Sequence, residues 1–191
     1  MIIGITGGTG CGKTTLLDVV RDLGGTVLDC DAIYHDLLKT DRDLLSRIEA
    51  RFPGTVFNNV LDRKKLGSTV FADPQSLQAL NQITHGAVKE KVLSLLVHQP
   101  KLAAIDAIGL FEGGLAHLCD VTVAVTAPME DRITRLMARD NITREYALMR
   151  IQAQRPQEEF AVLCDRVLEN NGTQAHFRQK CLSFLNGLDI L

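Results

Sequence analysis

The first twenty residues, MIIGITGGTGCGKTTLLDVV (1–20), decide the fold of this chain. A short apolar run leads into residues 7–14, GGTGCGKT, which fit the pattern G-x-x-x-x-G-K-[ST], and an amphipathic stretch follows. A strand, a glycine loop and a helix in this order are the context of a phosphate-binding loop. Glycines let backbone N–H groups curl around an anion, and the helix N-terminus adds a favourable dipole. The sequence therefore predicts a loop that binds a nucleoside triphosphate.

Individual residues of this loop have separate expected roles. Lys13 is expected to reach the β and γ phosphates, and the Thr14 hydroxyl to hold Mg²⁺. The nearest alternative pattern is a dinucleotide fingerprint, but its third glycine would fall at Lys13, so NAD is not the expected ligand. The predicted nucleotide-binding residues of the loop are Gly8, Gly10, Cys11, Gly12, Lys13, Thr14 and Thr15.

Length and composition limit the class of protein. A chain of 191 residues is most naturally one domain with insertions. The net charge of −2 gives no broad basic field, which argues against nucleic acid as a partner. No apolar run is long enough to span a bilayer, and no secretory signal pattern precedes the loop. The five cysteines are odd in number and include no C-x-x-C pair, which predicts reduced thiols, a cytoplasmic location and no zinc site.

Strands and helices alternate along the rest of the sequence. Further strand patterns occupy residues 26–28, 101–106, 120–126 and 167–168. Residues 32–98 are predicted to be helical, with breaks at Pro53-Gly54 and Asp73-Pro74, where a new helix starts. The alternation predicts an α/β fold in which helices flank a mostly parallel, five-stranded sheet, with an inserted helical lobe.

Arginine is concentrated late in the chain. Six of the thirteen arginines lie between residues 132 and 155, and Arg132, Arg135 and Arg139 form one stripe of a helix that starts after Pro128. One interpretation is a solvated basic face paired with nearby carboxylates. The presence of a triphosphate loop favours the other, a mobile lid whose guanidinium groups contact phosphoryl oxygens.

Several aspartates follow predicted strands. Asp31, after the second strand, is either a group that orients or deprotonates an attacking hydroxyl or the N-cap of the following helix, and both readings stay open. Asp29 either supports the loop or binds a magnesium-bound water. Asp106, which ends the third strand, is either a Walker B carboxylate behind Mg²⁺ or an ordinary turn residue. By itself, His85 in the helical region suggests a packing or surface residue.

Taken together, these residues resemble the dephospho-coenzyme A kinase family along nearly the whole chain. The ordered set is much more selective than the loop alone. The matching segments are residues 4–14, Leu28-Asp29-Cys30-Asp31, Leu61-Asp62-Arg63 with Leu66, Val70-Phe71, Leu80-Asn81 with His85, Leu110-Phe111-Glu112, Arg135, Arg139-Asp140, Gln154, Asp165 and Asn170-Asn171-Gly172.

The resemblance implies a fold and a reaction. The expected fold is the three-layer fold of P-loop kinases, a single domain over residues 1–191. Its nucleotide core would cover about 1–35, 100–128 and 165–191, a substrate lobe about 36–99 and a lid about 129–164. The implied enzyme is a phosphotransferase with an alcohol acceptor, which uses ATP and Mg²⁺ to phosphorylate the ribose 3′-hydroxyl of dephospho-coenzyme A. No obligate protein partner is evident.

The resemblance also implies residue roles. Asp31 would be the catalytic aspartate, Lys13 and Arg139 would act on the transferred phosphoryl group, and Arg135 would bind the nucleotide. Arg63 and His85 would contact the acceptor.

Some positions depart from the family pattern. Gly86 stands where proline is usual, Ile108-Gly109 replaces Pro-Leu, Cys30 replaces the central alanine of D-A-D, and Phe160 falls where a lid lysine or arginine is common. A kinase for another small molecule or a nucleotide is the alternative function. A GTPase-like switch would need an N-K-x-D motif, which this sequence lacks.

Overall fold

The computed structural model describes residues 1–98 and 100–188. The strands are β1 (Ile2–Thr6), β2 (Thr26–Asp29), β3 (Val56–Phe57), β4 (Val60–Leu61), β5 (Ala103–Asp106), β6 (Val121–Thr126) and β7 (Arg166–Glu169). The helices are α1 (Lys13–Asp22), α2 (Cys30–Thr40), α3 (Arg42–Arg51), α4 (Arg63–Val70), α5 (Pro74–Leu96), α6 (Met129–Asp140), α7 (Arg144–Gln152), α8 (Gln157–Leu163) and α9 (Gln174–Asn186), with a short 3₁₀ turn at Ala116–Leu118. The expected boundaries at residues 99 and 191 lie outside the described residues.

The main sheet confirms the predicted α/β class. Its strand order is β2-β5-β1-β6-β7. Strand β1 pairs in parallel with β5 and β6, and β6 pairs in parallel with β7. After β1 the chain forms β2 and β5 on one side of β1, and later β6 and β7 on the other side. The loop after β1 therefore lies where the strand order reverses, which is the place where open α/β sheets bind ligands.

Both faces of the central strand are covered, as a parallel sheet requires. Ile3 and Ile5 are fully buried in one core cluster with residues of α1 and α9, such as Leu16 and Phe177. Burial of each isoleucine contributes about 1.5–3 kcal/mol. On the opposite face, a side chain at Gly4 would overlap Leu110 and Cys119. Alternate residues of β1 therefore pack against different neighbours, since Ile3 and Ile5 face α1 and α9 while Gly4 faces Leu110 and Cys119.

The chain divides into two compact units. The first contains residues 1–28, 100–110 and 115–188, and holds the main sheet with α1 and α6–α9. The second contains residues 29–98 and 111–114, in which α5 packs against α2, α3 and α4. Helix α5 begins as predicted, since the Asp73 side chain caps it and Pro74 occupies its first turn.

The second unit also contains a hairpin that the helical interpretation of residues 32–98 missed. Strands β3 and β4 pair in antiparallel fashion around Asn58 and Asn59. Both asparagines have positive φ, 49° and 61°, the conformation that tight hairpin turns need. Asparagine tolerates this conformation better than most residues, so the Asn-Asn pair was the available sequence signal.

All five cysteines lie among the described residues and none forms a disulfide, and Cys11, Cys30 and Cys181 are buried. Within the part of the chain that the structure describes, no helix combines the length and the apolar character needed to cross a membrane.

Candidate active site

The loop between β1 and α1 has the backbone that its glycines predict. Gly7, Gly10 and Gly12 have φ of 136°, 77° and 95°. Gly12 is the left-handed N-cap of α1, which begins at Lys13. Side chains disfavour these conformations, so the loop can turn tightly around a ligand only with glycine here.

Close packing also requires glycine in the loop. A Cβ at Gly7 would overlap the carbonyl oxygen of Val125 in β6. A Cβ at Gly8 would overlap Nη2 of Arg132 in α6, and one at Gly12 would overlap Nδ2 of Asn170 after β7. The loop is therefore pressed against three elements that come more than a hundred residues later in the chain.

The predicted phosphate and magnesium ligands lie at the start of α1. Lys13 Nζ donates a hydrogen bond of 2.8 Å to the carbonyl oxygen of Gly7, so its ammonium group lies against the loop. Thr14 is exposed and Thr15 half-buried, and the Thr15 N–H donates to the Gly12 carbonyl at 3.1 Å. The first turn of the helix thus presents one ammonium and one exposed hydroxyl beside the glycine cradle.

Two arginines of α6 hold the carbonyl groups of the loop. Arg132 Nε donates to the Thr9 carbonyl at 3.0 Å. Arg135 Nη1 donates to the carbonyls of Gly10 and Cys11 at 3.2 and 3.3 Å. Three consecutive loop carbonyls thus accept hydrogen bonds from guanidinium groups of one helix. Both side chains therefore brace the loop.

Two amide side chains complete this bracing. The Thr9 N–H donates to Gln154 Oε1 at 2.7 Å, and Asn170 Nδ2 donates to the Cys11 carbonyl at 2.9 Å. Asn170 is buried, and its backbone carbonyl accepts from Arg135 Nη2 at 3.3 Å. The sequence predicted Arg132 only as a member of the arginine stripe that contacts phosphoryl oxygens, and it predicted no separate site role for Gln154 or Asn170. The only signals for the latter two were their places in the family motifs.

The thiol of Cys11 reports the charge around the loop. Burial raises the pKa of this thiol above its usual value, while the positive charges of Arg132, Lys13 and Arg135 oppose the rise. Three cations therefore act on one buried position of the loop, which suits a site for polyphosphate.

Arg139 is arranged differently from its neighbours in the stripe. Its Nε and Nη2 donate to the two carboxylate oxygens of Asp140 at 2.7 and 2.9 Å. Arg150 donates to the same carboxylate, and the two guanidinium groups hold the pKa of Asp140 well below its usual range. The Arg139 side chain is 59% exposed. The stripe thus divides into two arginines at the loop and one in a surface ion pair, the arrangement expected of a solvated face.

The structure decides between the two interpretations of Asp31. Asp29 is the N-cap of α2, where its side chain accepts from the Ala32 N–H at 2.9 Å. The capping interpretation of Asp31 is therefore wrong, since Asp31 lies inside the first turn and is exposed. In the described part of the chain its carboxylate has no hydrogen-bond or ion-pair partner. Asp106 ends β5, where Ile5 of β1 is its register partner, and both interpretations of its role remain predictions.

The predicted acceptor residues lie in the second unit. Arg63 is exposed at the start of α4, and its charge acts on Tyr34, whose pKa is raised by burial and lowered in part by Arg63. His85 is half-buried in α5, next to Gly86, where an added Cβ would meet open space. The side chains of Arg63 and His85 form no hydrogen bond with any residue that the structure describes.

The chemistry of the loop fits Mg²⁺ bound together with phosphates. Over residues 1–98 and 100–188, no group of three or more His, Cys, Asp or Glu side chains is placed to hold a metal alone. Mg²⁺ needs no such group, since it retains waters and takes its other ligands from phosphates and a hydroxyl. The exposed Thr14 hydroxyl at the start of α1 matches that donor set.

Comparison with known proteins gives the family. The family model described as dephospho-CoA kinase matches residues 1–176. A dephospho-CoA kinase of Geobacillus kaustophilus is 36% identical over 197 residues, covering 100% of this chain and 98% of the relative. The crystal structure of TT1252 from Thermus thermophilus has a TM-score of 0.80 at 35% identity, covering 98% of this chain and 97% of that chain.

A dephospho-CoA kinase structure from Campylobacter jejuni has a TM-score of 0.67 at 25% identity, covering 98% of this chain and 96% of that chain. Sequence and structural similarity thus extend over nearly the full length. The chain belongs to the dephospho-CoA kinase family.

Proposed function

We propose that this protein transfers the γ-phosphoryl group of ATP to the ribose 3′-hydroxyl of dephospho-coenzyme A, giving coenzyme A and ADP. Membership of the family over residues 1–176 is the observation that carries the proposal. The glycine loop, with its ammonium and bracing guanidinium groups, supplies the phosphate chemistry that such a transfer needs.

The nucleotide is held by residues 8–15. Backbone N–H groups of Gly8, Gly10, Cys11 and Gly12 cradle the phosphates, and Lys13 exchanges its bond to the Gly7 carbonyl for the β and γ oxygens. Thr14 is the residue that would hold Mg²⁺, which neutralises charge on the β and γ phosphates when bound. Asp106 would position the magnesium-bound water.

Asp31 orients the attacking hydroxyl and accepts its proton. Its exposed carboxylate, without a partner in the described part of the chain, is available for a hydroxyl ligand. Arg63 and His85 contact the acceptor. The acceptor lobe covers about residues 36–99 of one kinase domain that spans the chain.

Arg139 neutralises charge on the transferred phosphoryl group, with Arg135 beside the loop. To do so it gives up its bond to Asp140, while Arg150 retains that carboxylate. Residues 129–164 form the lid, and its closure excludes the water that would otherwise hydrolyse ATP. The nucleotide core covers about 1–35, 100–128 and 165–191.

The proposal extends to setting and partners. Free thiols at all five cysteines fit a reducing cytoplasm. With a net charge of −2, the enzyme needs only its small-molecule substrates and has no nucleic acid, membrane or obligate protein partner.

A panel of acceptors with γ-labelled ATP tests the function. Dephospho-coenzyme A is expected to take up the label at its 3′-oxygen, whereas nucleosides and nucleoside monophosphates remain unlabelled. Lys13→Ala is the control for contaminating kinases. Labelling of another acceptor in preference to dephospho-coenzyme A would assign a different small-molecule kinase, and nucleotide binding without a phosphorylated product would overturn the kinase assignment.

A further inference from the structure

Arg132 is a buried cation that has no counter-ion among the described residues. The residue is only 3% exposed, and it forms no ion pair with any residue described by the structure. Its Nε donates to the Thr9 carbonyl at 3.0 Å, but its Nη2 is buried and has no hydrogen-bond partner in residues 1–98 or 100–188. A guanidinium group in this state is rare, because burial without full pairing costs free energy.

Arg135, one turn further along α6, is the natural comparison. Both of its terminal nitrogens donate to carbonyl oxygens, and Asp131 lies 3.7 Å from Nη2. Arg135 is therefore satisfied by the protein itself. Arg132 retains an unused donor and an uncompensated charge, so the free energy of folding does not explain why an arginine is placed there.

The position of Arg132 connects this charge with the loop. Its Nη2 occupies the space that a Cβ of Gly8 would need, and its carbonyl oxygen would lie 2.8 Å from a Cβ of Gly10. Among the nearby cations, Arg132 also has the strongest lowering effect on the pKa of the buried Cys11 thiol. The guanidinium thus lies directly against the segment that the proposed function assigns to phosphate binding.

We propose that Arg132 is a nucleotide-affinity residue, whose buried charge is left unpaired within the protein so that the polyphosphate in the loop compensates it. The inference rests on the proposed function, since it requires that the loop bind ATP. The proposal predicts that ATP affinity and the stability of the ligand-free protein respond differently to loss of this charge. Removal of the charge weakens nucleotide binding without destabilising the ligand-free protein.

The test compares Arg132→Met, Arg132→Gln and Arg132→Lys by calorimetric titration with Mg-ATP and by thermal unfolding without nucleotide. Methionine retains much of the apolar stem, glutamine retains a neutral donor and lysine retains the charge. Met and Gln are each expected to raise the dissociation constant for ATP about tenfold or more, because a nearby unit charge is lost. Lys is expected to stay within about threefold of the unchanged protein.

Ligand-free Arg132→Met is expected to unfold at or above the temperature of the unchanged protein, since an unpaired buried charge has been removed. Arg21→Met is the matched control. It removes the same charge from an exposed position of α1 whose ion-pair partner is Asp18, and should leave ATP affinity unchanged.

Unchanged ATP affinity in Arg132→Met would overturn the inference. So would full affinity in Arg132→Gln, which would assign the role to the hydrogen bond with Thr9. Marked destabilisation of ligand-free Arg132→Met, or its failure to fold, would make Arg132 a structural residue. If the unchanged protein itself gave no ATP binding, the proposed function would fail, a result separate from the variant comparison.

Discussion

The phosphate loop differs from the residues predicted to act on the acceptor, Asp31, Arg63 and His85, in how many contacts the protein makes with each. Consecutive loop carbonyls, those of Thr9, Gly10 and Cys11, accept hydrogen bonds from side chains far along the sequence. In contrast, the side chains of Asp31 and Arg63 have no hydrogen-bond or ion-pair partner in the part of the chain that the structure describes. His85 likewise forms no hydrogen bond there.

This difference indicates two modes of recognition. A loop whose backbone is already held in its binding conformation loses little entropy when phosphate binds, which favours affinity. Polar side chains without partners are available to be ordered by a ligand. We therefore expect variants of the loop to change ATP binding, and variants of the acceptor residues to change turnover and selectivity.

Asp31→Asn is expected to have the largest effect at the acceptor end. The amide cannot take the hydroxyl proton, so kcat should fall by about 10²–10⁴-fold. ATP affinity by calorimetry should hardly change. Asp36→Asn, at an exposed position of the same helix, is the control. Since Asp29 already caps α2, a loss of less than about threefold in kcat would show that Asp31 has no acid–base role.

Lys13→Ala tests the contribution of the phosphate loop. The loss of one preorganised cationic donor should lower kcat/KM by about 10²–10³-fold. The thermal midpoint should change little, because Lys13 contributes only a half-buried bond to the Gly7 carbonyl. Steady-state kinetics and a melting curve measure both quantities. Retained turnover in folded Lys13→Ala would refute the loop assignment.

Arg139→Ala tests whether Arg139, which forms a surface ion pair with Asp140, has a catalytic role. We expect kcat to fall about tenfold or more while the dissociation constant of ATP stays nearly constant, since the charge is required in the transition state. Arg144→Ala is a close control, because Arg144 forms a comparable two-bond pair with Glu130. The reverse pattern, weaker ATP binding with normal kcat, would make Arg139 a binding residue only.

Asn170→Ala has the smallest expected effect and tests the bracing itself. The Cys11 carbonyl loses the donor that the Asn170 side chain supplies, while the backbone carbonyl that accepts from Arg135 is retained, so ATP affinity should fall about fivefold to tenfold. Asn171→Ala changes the neighbouring exposed asparagine and should bind ATP normally. Equal affinities for the two variants would contradict the role of bracing in nucleotide binding.

The sequence predicted those parts of the fold that local patterns specify. The strands of the main sheet, the start of α1 at the glycine loop and the cap at Asp73 follow from apolar runs, glycine spacing and cap chemistry. The hairpin around Asn58 and Asn59 was missed because its strands have only two residues each and show no periodicity.

The contacts around the site were less predictable. The loop is braced by Arg132, Gln154 and Asn170, which lie more than 120 residues away from their partners. No local pattern indicates which long-range partner a polar side chain takes. The choice between Asp29 and Asp31 as the cap likewise depended on where α2 begins, and an error of two residues reverses that assignment.

The central claim is that the loop between β1 and α1 binds polyphosphate. Its most direct test is calorimetric titration of the folded protein with ATP in the presence of Mg²⁺. We expect heat that saturates at a single site per chain, a dissociation constant that rises in Arg132→Met, and loss of the signal in Lys13→Ala. Absence of heat with ATP, from protein whose melting curve shows that it is folded, would contradict the account.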